Sequence, residues 1–181
     1  MTKEPANDSV NRLTVGSMLR TLRNTALVMD KAERHAAANG IALDAYLQAR
    51  LYPDMFNLLQ QIQYVCYLAA DFARHFTDVT PPRVGYDEET WPQLRNSLDL
   101  AAGYLAGITP EQLSRHARKT VPLFNDDKKT MAAVDYAATM IVPDIHFHAV
   151  IAYALLRHNG VPLGKSDFFG ELPTVVLSGP A

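Results

Sequence analysis

Three histidines lie close together near the carboxyl end of the chain: His146, His148 and His158. The first two precede an apolar run and the third ends it, in a segment with the composition of a buried helix. An imidazole on the core-facing side of a helix costs free energy unless a partner hydrogen-bonds or ligates it. The sequence therefore places a candidate site here.

The spacing of Asp144 and His148 favours chemistry. Residues four apart share a helix face, so the carboxylate lies one turn before the imidazole. A carboxylate in that place orients the ring and fixes its tautomer, as a general base or a metal ligand requires. The structural alternative is that Asp144 caps the helix after Pro143 and that His148 is a hydrogen-bonded core residue. His146 must face elsewhere, and His158 is typical of a helix end.

The remaining side chains give little support to a metal centre. Such a centre needs three or four ligands, which facing helices supply as i, i+3 or i, i+4 pairs. Ala152, four residues after His148, has no donor atom. We expect His35, His75 and His116 on the surface. The expectation is therefore no cofactor, with a divalent ion such as zinc, nickel or iron as the alternative.

Glutamines on the second long helix are candidate partners for His148. Gln60 and Gln63 are three residues apart and close to the predicted core face. A buried amide has up to four hydrogen bonds to satisfy, so such a group would pair with His148 or with a small ligand. The alternative is that both amides are solvated on a boundary face. The predicted substrate-binding residues are Tyr52, Gln60, Tyr64 and Tyr153.

Composition limits the class of protein. A chain of 181 residues suits one domain, and its single cysteine, Cys66, excludes an intramolecular disulfide. The formal charge is −2 and no basic stripe is present, so a nucleic-acid partner is not expected. The apolar stretch 131–156 carries Asp135, Pro143 and Asp144, which are costly in a bilayer. We expect a cytoplasmic protein with no membrane partner.

Hydrophobic periodicity predicts an all-α fold. Long helices are expected over about 9–39, 53–76, 89–106 and 143–158, with short ones at 45–51 and 134–140. The segment 120–131 reads as a small hairpin or an irregular crossover. The predicted arrangement is a four-helix bundle with a long crossover between helices three and four. It comprises a flexible N-terminus (1–8), a single helical domain (9–170) and a loose tail (171–181).

Several stretches between about residues 13 and 170 carry a resemblance. They are Asp30-Lys31-Ala32-Glu33, Arg50 to Phe56, Gln61-Ile62-Gln63, Pro143 to His148, Ala152-Tyr153-Ala154, Arg157 to Val161 and Gly164 to Phe168. On these residues the chain resembles an uncharacterised family, with bacterial and fungal members, of the DinB/YfiT-like superfamily. The carboxyl-terminal block is the most specific part.

The resemblance implies a DinB-like four-helix bundle, a pocket between its helices and dimerisation. The superfamily carries a three-histidine metal site, with one ligand on the second helix and an i, i+4 pair on the last. Only His148 matches this set, as the first member of the pair. Ala152 occupies the second place, and Gln63 falls near the position of the second-helix ligand.

These observations predict a protein that binds a small organic molecule in a pocket around His148. If it is an enzyme, His148 is the general acid/base, Asp144 orients it and Gln63 donates a hydrogen bond, without a metal. That chemistry suits an isomerase, cyclase or dehydratase. The alternatives are a metal-dependent hydrolase or thiol transferase of the superfamily type, and a non-catalytic binding module that forms a homodimer.

Overall fold

The computed structural model describes residues 6–123 and 126–172, which contain four long helices. They are α2 (Ser17–Asn39), α4 (Leu58–Phe76), α5 (Trp91–Ala106) and α8 (Val142–His158). The shorter helices are α1 (Ala6–Asn11), α3 (Leu43–Leu47), α6 (Pro110–His116), α7 (Ala133–Tyr136) and α9 (Lys165–Phe169). The fold is therefore mostly helical, as the sequence predicted.

The long helices bury one core between them. Helix α2 packs on α5 and α8, and α4 packs on the same two helices. The largest side chains with almost no exposed surface are Phe72, Phe76, Met18, Leu22, Met29, Leu47, Leu58, Ile62, Leu94, Leu98, Leu105 and Ile141. Their spacing along each helix follows the 3.6-residue period, so the amphipathic faces predicted from the sequence are the packed faces.

Helix α4 begins at Leu58 and not at Pro53, so the predicted start is wrong by five residues. Asn57 caps the helix: its side-chain oxygen accepts from the Gln60 backbone N–H at 2.9 Å, and the Gln60 side-chain oxygen accepts from the Asn57 N–H at 3.0 Å. This reciprocal pair satisfies two backbone donors that the first turn leaves open, which a proline start cannot do. The short helix before it is Leu43–Leu47, where 45–51 was predicted.

The predicted hairpin is present. Strands β1 (Thr120–Leu123) and β2 (Asp126–Ala132) are antiparallel, with Thr120 opposite Ala132 and a register shift after Pro122. They lie in the connection between α6 and α7. This sheet is the one departure from an all-helical architecture in the part of the chain that the structure describes.

One continuous helical segment replaces the two helices predicted on either side of Pro143. It runs from Ala133 to His158 through a π-helical turn, Ala137–Ile141, and a second such turn, Arg12–Gly16, joins α1 to α2. A proline crowds the carbonyl four residues before it, here that of Thr139, and the π turn contains that residue. Such turns often occur at functional sites.

The Ala133–His158 segment is also long and apolar enough, by length and composition, to cross a membrane. The core helix of a soluble protein meets the same criteria. Ile145, Ala149, Ala152 and Leu155 are buried against the other helices, so we interpret the segment as a core helix. The predicted flexible N-terminus (1–8) and loose tail (171–181) lie mainly outside the described residues.

Candidate functional site

His148 has a side-chain oxygen close to each of its ring nitrogens. It lies in the second turn of α8 with 8% of its surface exposed. Its Nδ1 is 2.6 Å from the side-chain oxygen of Gln61 on α4, and its Nε2 is 3.3 Å from Asp144 Oδ1, one turn earlier on α8. The ring also packs on Tyr64 and Phe56, with centroids 4.5 and 6.0 Å away. The predicted Asp144–His148 pair is therefore formed in the structure.

The amide of Gln61 determines which nitrogen of His148 carries a proton. Its nitrogen donates to the Phe56 carbonyl at 3.2 Å, which leaves its oxygen facing the imidazole. An amide oxygen only accepts hydrogen bonds, so Nδ1 of His148 must be the protonated nitrogen. In the neutral ring Nε2 is then a bare lone pair beside Asp144. In this arrangement the Gln61 amide fixes the tautomer at Nδ1, and Nε2 is the nitrogen that can act as a general base.

Burial lowers the pKa of His148 below its ordinary value, and the neighbouring Asp144 carboxylate offsets only part of this shift. The neutral ring is therefore favoured near neutral pH, and Nε2 is free to accept a proton. Once protonated, the ring is stabilised by Asp144. Burial and Asp144 together raise the pKa of Tyr64, so its hydroxyl keeps its proton beside the site.

A cleft of about 460 Å³ begins at this pair. Asp144, whose side chain is 41% exposed, lines it, whereas His148 lies behind. The lining residues are Tyr64, Tyr67, Leu68, Asp71, Arg74, His75, Pro122, Tyr136, Met140, Ile141 and Asp144. They come from α4, from the hairpin and from the segment around the π turn. We call this depression the cleft; its two ends are the His148 end and the Arg74 end.

The Arg74 end contains a polar cluster that the sequence analysis missed. Asp71 is buried and accepts hydrogen bonds from Arg74 and, at 2.8 Å, from the Tyr136 hydroxyl. His75 Nε2 lies 3.8 Å from the same carboxylate. Burial first and the Arg74 charge second lower the pKa of His75. The sequence signal for this cluster is the helical spacing of the α4 positions 64, 67, 68, 71, 74 and 75, which places these residues on one face of the helix.

Gln63 does not contact His148, so the predicted pairing is wrong and Gln61 takes its place. The Gln63 amide donates instead to the backbone carbonyl of Glu88, at 2.8 Å. This bond helps to fasten residues 77–90, here called the 77–90 loop, onto α4. Glu88 accepts from the Gly85 N–H at 2.8 Å and from Ser97.

The predicted substrate-binding residues lie in different places. Tyr64 contacts His148 and lines the cleft. Gln60 belongs to the α4 cap and also accepts from Arg50 at 3.3 Å. Tyr52 is 65% exposed in the turn before α4. Tyr153 packs on Phe168 of α9, at the α2 side of α8. The structure therefore brings only Tyr64 of the four to the site.

Three of the other histidines, His35, His116 and His146, are hydrogen-bonded. His146 Nδ1 donates to the Val142 carbonyl at 2.6 Å, and its Nε2 faces the hydroxyls of Ser17 and Thr21 at 3.3 and 3.2 Å. Among those expected on the surface, His116 is only 3% exposed, contacting the Gln112 carbonyl and Asp78. His35 and His75 are half-buried, with His35 at 2.8 Å from the Tyr46 hydroxyl.

The donors at His148 do not fit a three-histidine metal centre. Ala152 is buried beside the apolar lining of α2, and the Gln61 oxygen is engaged by Nδ1. Among residues 6–123 and 126–172 no group of three His, Cys, Asp or Glu side chains could hold a metal ion. At this site, and within the part of the chain that the structure describes, the donor atoms that converge are Asp144 Oδ1 and His148 Nε2.

Together, the helices and the site define a DinB-like helical protein. The chain superposes on the crystal structure of a DinB family member protein from Shewanella denitrificans with a TM-score of 0.87 and 29% identity, over 94% of this chain and 97% of that one. It belongs to the family described as "Domain of unknown function (DUF1993)", which matches residues 11–169. Among curated proteins the comparison finds no match. The predicted resemblance to an uncharacterised DinB-like family is thereby confirmed.

The lowered pKa values of His148 and His75 make stability depend on pH. Both groups have an ordinary pKa of 6.5, which applies in the unfolded chain, and a lower value in the fold. As the pH falls through this range the unfolded chain binds protons that the folded chain does not, so the free energy of unfolding should fall. Asp144 and Tyr64 face His148; Asp71 and Arg74 face His75.

Urea unfolding between about pH 7.5 and 5.5 checks this expectation. The slope of the free energy of unfolding against pH should be positive. His148→Gln should reduce the slope because it removes one of the two groups. A free energy of unfolding that rises or stays constant on acidification would contradict it.

Proposed function

We propose that the protein is an acid/base enzyme that transfers a proton to or from a small organic molecule bound in the cleft, without a metal. His148 Nε2 holds the transferred proton, Asp144 stabilises the resulting imidazolium, and Gln61 keeps Nδ1 protonated. Isomerisation, cyclisation and dehydration can all begin with such a transfer. The observation that carries the proposal is the geometry of His148: Nδ1 faces an amide oxygen, and Nε2 lies beside Asp144, which lines an open cleft.

The exposure of the pair determines how the proton travels. Asp144 lines the cleft and His148 lies behind it, 3.3 Å away. A ligand in the cleft therefore meets the Asp144 carboxylate, which passes the proton between the ligand and Nε2 of His148. The sequence-based role of Asp144, which was to orient the ring, is extended to contact with the ligand. Tyr64 has a protonated hydroxyl beside the pair and would donate a hydrogen bond to the ligand.

Deuterium exchange at carbon tests the proposal even while the reaction product is unidentified. The protein is incubated in D₂O with a panel of 2-oxo acids, β-keto acids and enones, and loss of the carbon-bound proton is followed by NMR. For a compound that the wild type exchanges, His148→Gln should slow the exchange by about 10²–10⁴-fold, the usual contribution of a general base. His146→Gln is the matched control. Equal exchange by wild type and His148→Gln would refute the role of His148.

A metal-dependent hydrolase or thiol transferase is the second candidate. The 3.3 Å between Asp144 Oδ1 and His148 Nε2 equals the separation expected for two ligands of one ion with bonds of about 2.0–2.1 Å. Elemental analysis of protein purified without chelators distinguishes the two. Stoichiometric zinc, nickel or iron, lost in Asp144→Asn, would favour this candidate over the metal-free proposal.

The remaining predictions concern architecture and assembly. We infer that α2, α4, α5 and α8 form the predicted four-helix bundle, with residues 107–132 as the crossover between its last two helices. A homodimer and a cytoplasmic location stay predictions. A non-catalytic binding module is the third candidate, and the polar lining of the cleft at Asp144 favours ligand binding over a purely structural role.

A further inference from the structure

Arg74 is the one permanently charged cation among the described residues that line the cleft. Its side chain is 55% exposed although its partner, Asp71, is almost fully buried. One guanidinium nitrogen, Nη2, bonds Asp71. The other N–H groups have no hydrogen-bond partner among the described residues, so the guanidinium retains donors for a ligand.

Asp71 is a positioning residue for this guanidinium. It is fixed by the Tyr136 hydroxyl from the segment before α8 and approached by His75 from its own helix. A flexible arginine loses side-chain entropy when it binds an anion, and an arginine that is already held loses less. The buried carboxylate therefore prepares Arg74 for binding.

The Arg74 end of the cleft favours an anion over a cation. The Asp71 carboxylate there already has Arg74 and Tyr136 as partners, and the other carboxylate, Asp144, lies at the opposite end beside His148. The hydroxyls of Tyr64 and Tyr67 have no hydrogen-bond partner within the described residues, and burial raises the pKa of both, so they stay protonated. Apart from the Asp144 carboxylate, the unused groups in the cleft are thus donors.

We propose that the cleft binds a small organic anion, whose carboxylate or phosphate lies on Arg74 and whose apolar or aromatic body packs on Tyr64 and Tyr67. The reactive carbon then lies at the His148 end. Leu68, Met140 and Ile141 complete the apolar lining. The placement of the reactive carbon at the His148 end rests on the proposed function. The binding of the anion by Arg74 does not.

The helix sets the length of the ligand. Tyr64 and Asp71 are seven residues apart on α4, which is about 10 Å along its axis at 1.5 Å per residue. Arg74 reaches back by one turn to meet Asp71. A ligand that joins the two ends is therefore about 8–10 Å long, the length of a phenyl ring with a three-carbon acid chain.

A matched set of probes tests the proposal by calorimetry. The probes are 3-phenylpropionate, 2-phenylethyl phosphate, neutral 3-phenylpropanamide and cationic 3-phenylpropylamine. The wild type should bind one of the anions at least tenfold more tightly than the amide and the amine, and the stronger of the two anions identifies the group. Arg74→Gln should weaken that binding by about tenfold or more, the usual effect of losing a charge-assisted pair.

Arg83→Gln is the matched control. Arg83 also pairs with an aspartate, Asp87 at 2.7 Å, and it lines a neighbouring depression and not the cleft, whereas Arg74 lines both. Unchanged affinity in Arg83→Gln supports the location. An equal loss in both variants would place the anion in that neighbouring depression and overturn the proposal.

A measurement on the wild type avoids dependence on the fold of the variant. The ¹⁵Nε resonance of Arg74 should shift on addition of the bound anion and not on addition of the amide. Preference for the amine, absence of binding by either anion at millimolar concentration, or an unmoved Arg74 resonance would each overturn the proposal. His148→Gln should keep the affinity while losing exchange, so a failure of the proposed function is distinguishable from a failure of anion binding.

Discussion

Replacing Gly85 by alanine should lower the free energy of unfolding by about 3 kcal/mol or more, a large effect for the addition of one methyl group. Gly85 has φ +80°, which favours glycine. A Cβ atom there would lie 2.3 Å from the Gln63 carbonyl oxygen and 2.7 Å from the Tyr67 backbone nitrogen. Both atoms belong to the backbone of α4, so neither can move aside without displacing the helix or the 77–90 loop.

The Gly85→Ala substitution should also weaken ligand binding in the cleft. Displacement of the loop breaks the Gln63–Glu88 bond and the Gly85–Glu88 bond, and it disturbs Tyr67, which lines the cleft. Anion binding should therefore weaken in the fraction that stays folded. Urea unfolding measures the stability and the calorimetric titration measures the binding.

Gly40→Ala is the matched control for Gly85→Ala. Gly40 also has a positive φ, +65°, at the end of α2, but no atom lies within 4 Å of the position of its Cβ. Alanine at this position should lower the free energy of unfolding by about 1 kcal/mol, which is the backbone cost of a positive φ alone. Equal losses in the two variants would show that the close approach of the loop to α4 is not responsible.

Replacing Gln61 by leucine should invert the tautomer of His148. Without the amide oxygen, Nδ1–H is left in a buried place with no acceptor, at a cost of about 1–3 kcal/mol. The neutral ring avoids this cost by moving its proton to Nε2, where Asp144 accepts it. The basic nitrogen then faces α4 and no longer Asp144, so the rate in the proton exchange assay should mostly be lost.

Long-range ¹H–¹⁵N correlation spectra at a pH above the titration of His148 report the tautomer directly. The wild type should show protonated Nδ1 and Gln61→Leu should show protonated Nε2. Gln63→Leu is the matched control, because Gln63 bonds Glu88 and not the imidazole. An unchanged tautomer in Gln61→Leu would contradict the role assigned to the amide.

The sequence by itself determined the features that depend on the spacing of residues within a single helix. The apolar faces of α2, α4, α5 and α8 and the pairing of Asp144 with His148 follow from local periodicity, whereas the pattern at 120–131 left a hairpin and an irregular crossover both open. A helix places residues four apart on one face wherever it is packed. The Asp144–His148 pair could therefore be predicted from the spacing alone, whatever the arrangement of the helices.

Only the tertiary structure decided which glutamine meets His148. Gln61 and Gln63 are two residues apart, which is about 200° around the axis of α4 at 3.6 residues per turn. One faces α8 and the other the 77–90 loop, and the choice depends on how α4 is rotated by its packing. The start of α4 was also misplaced in the sequence-based prediction, because the cap at Asn57 moves it away from Pro53.

The Arg74 end of the cleft was likewise decided by tertiary contacts. Asp71, Arg74 and His75 read in the sequence as ordinary polar residues of an amphipathic helix. Tyr136, which completes the cluster, lies on a segment whose position depends on the π turn and Pro143. The local pattern thus specified His148 and its carboxylate, and the packing of α4 against the Ala133–His158 segment supplied the amide behind the ring and the cleft before it.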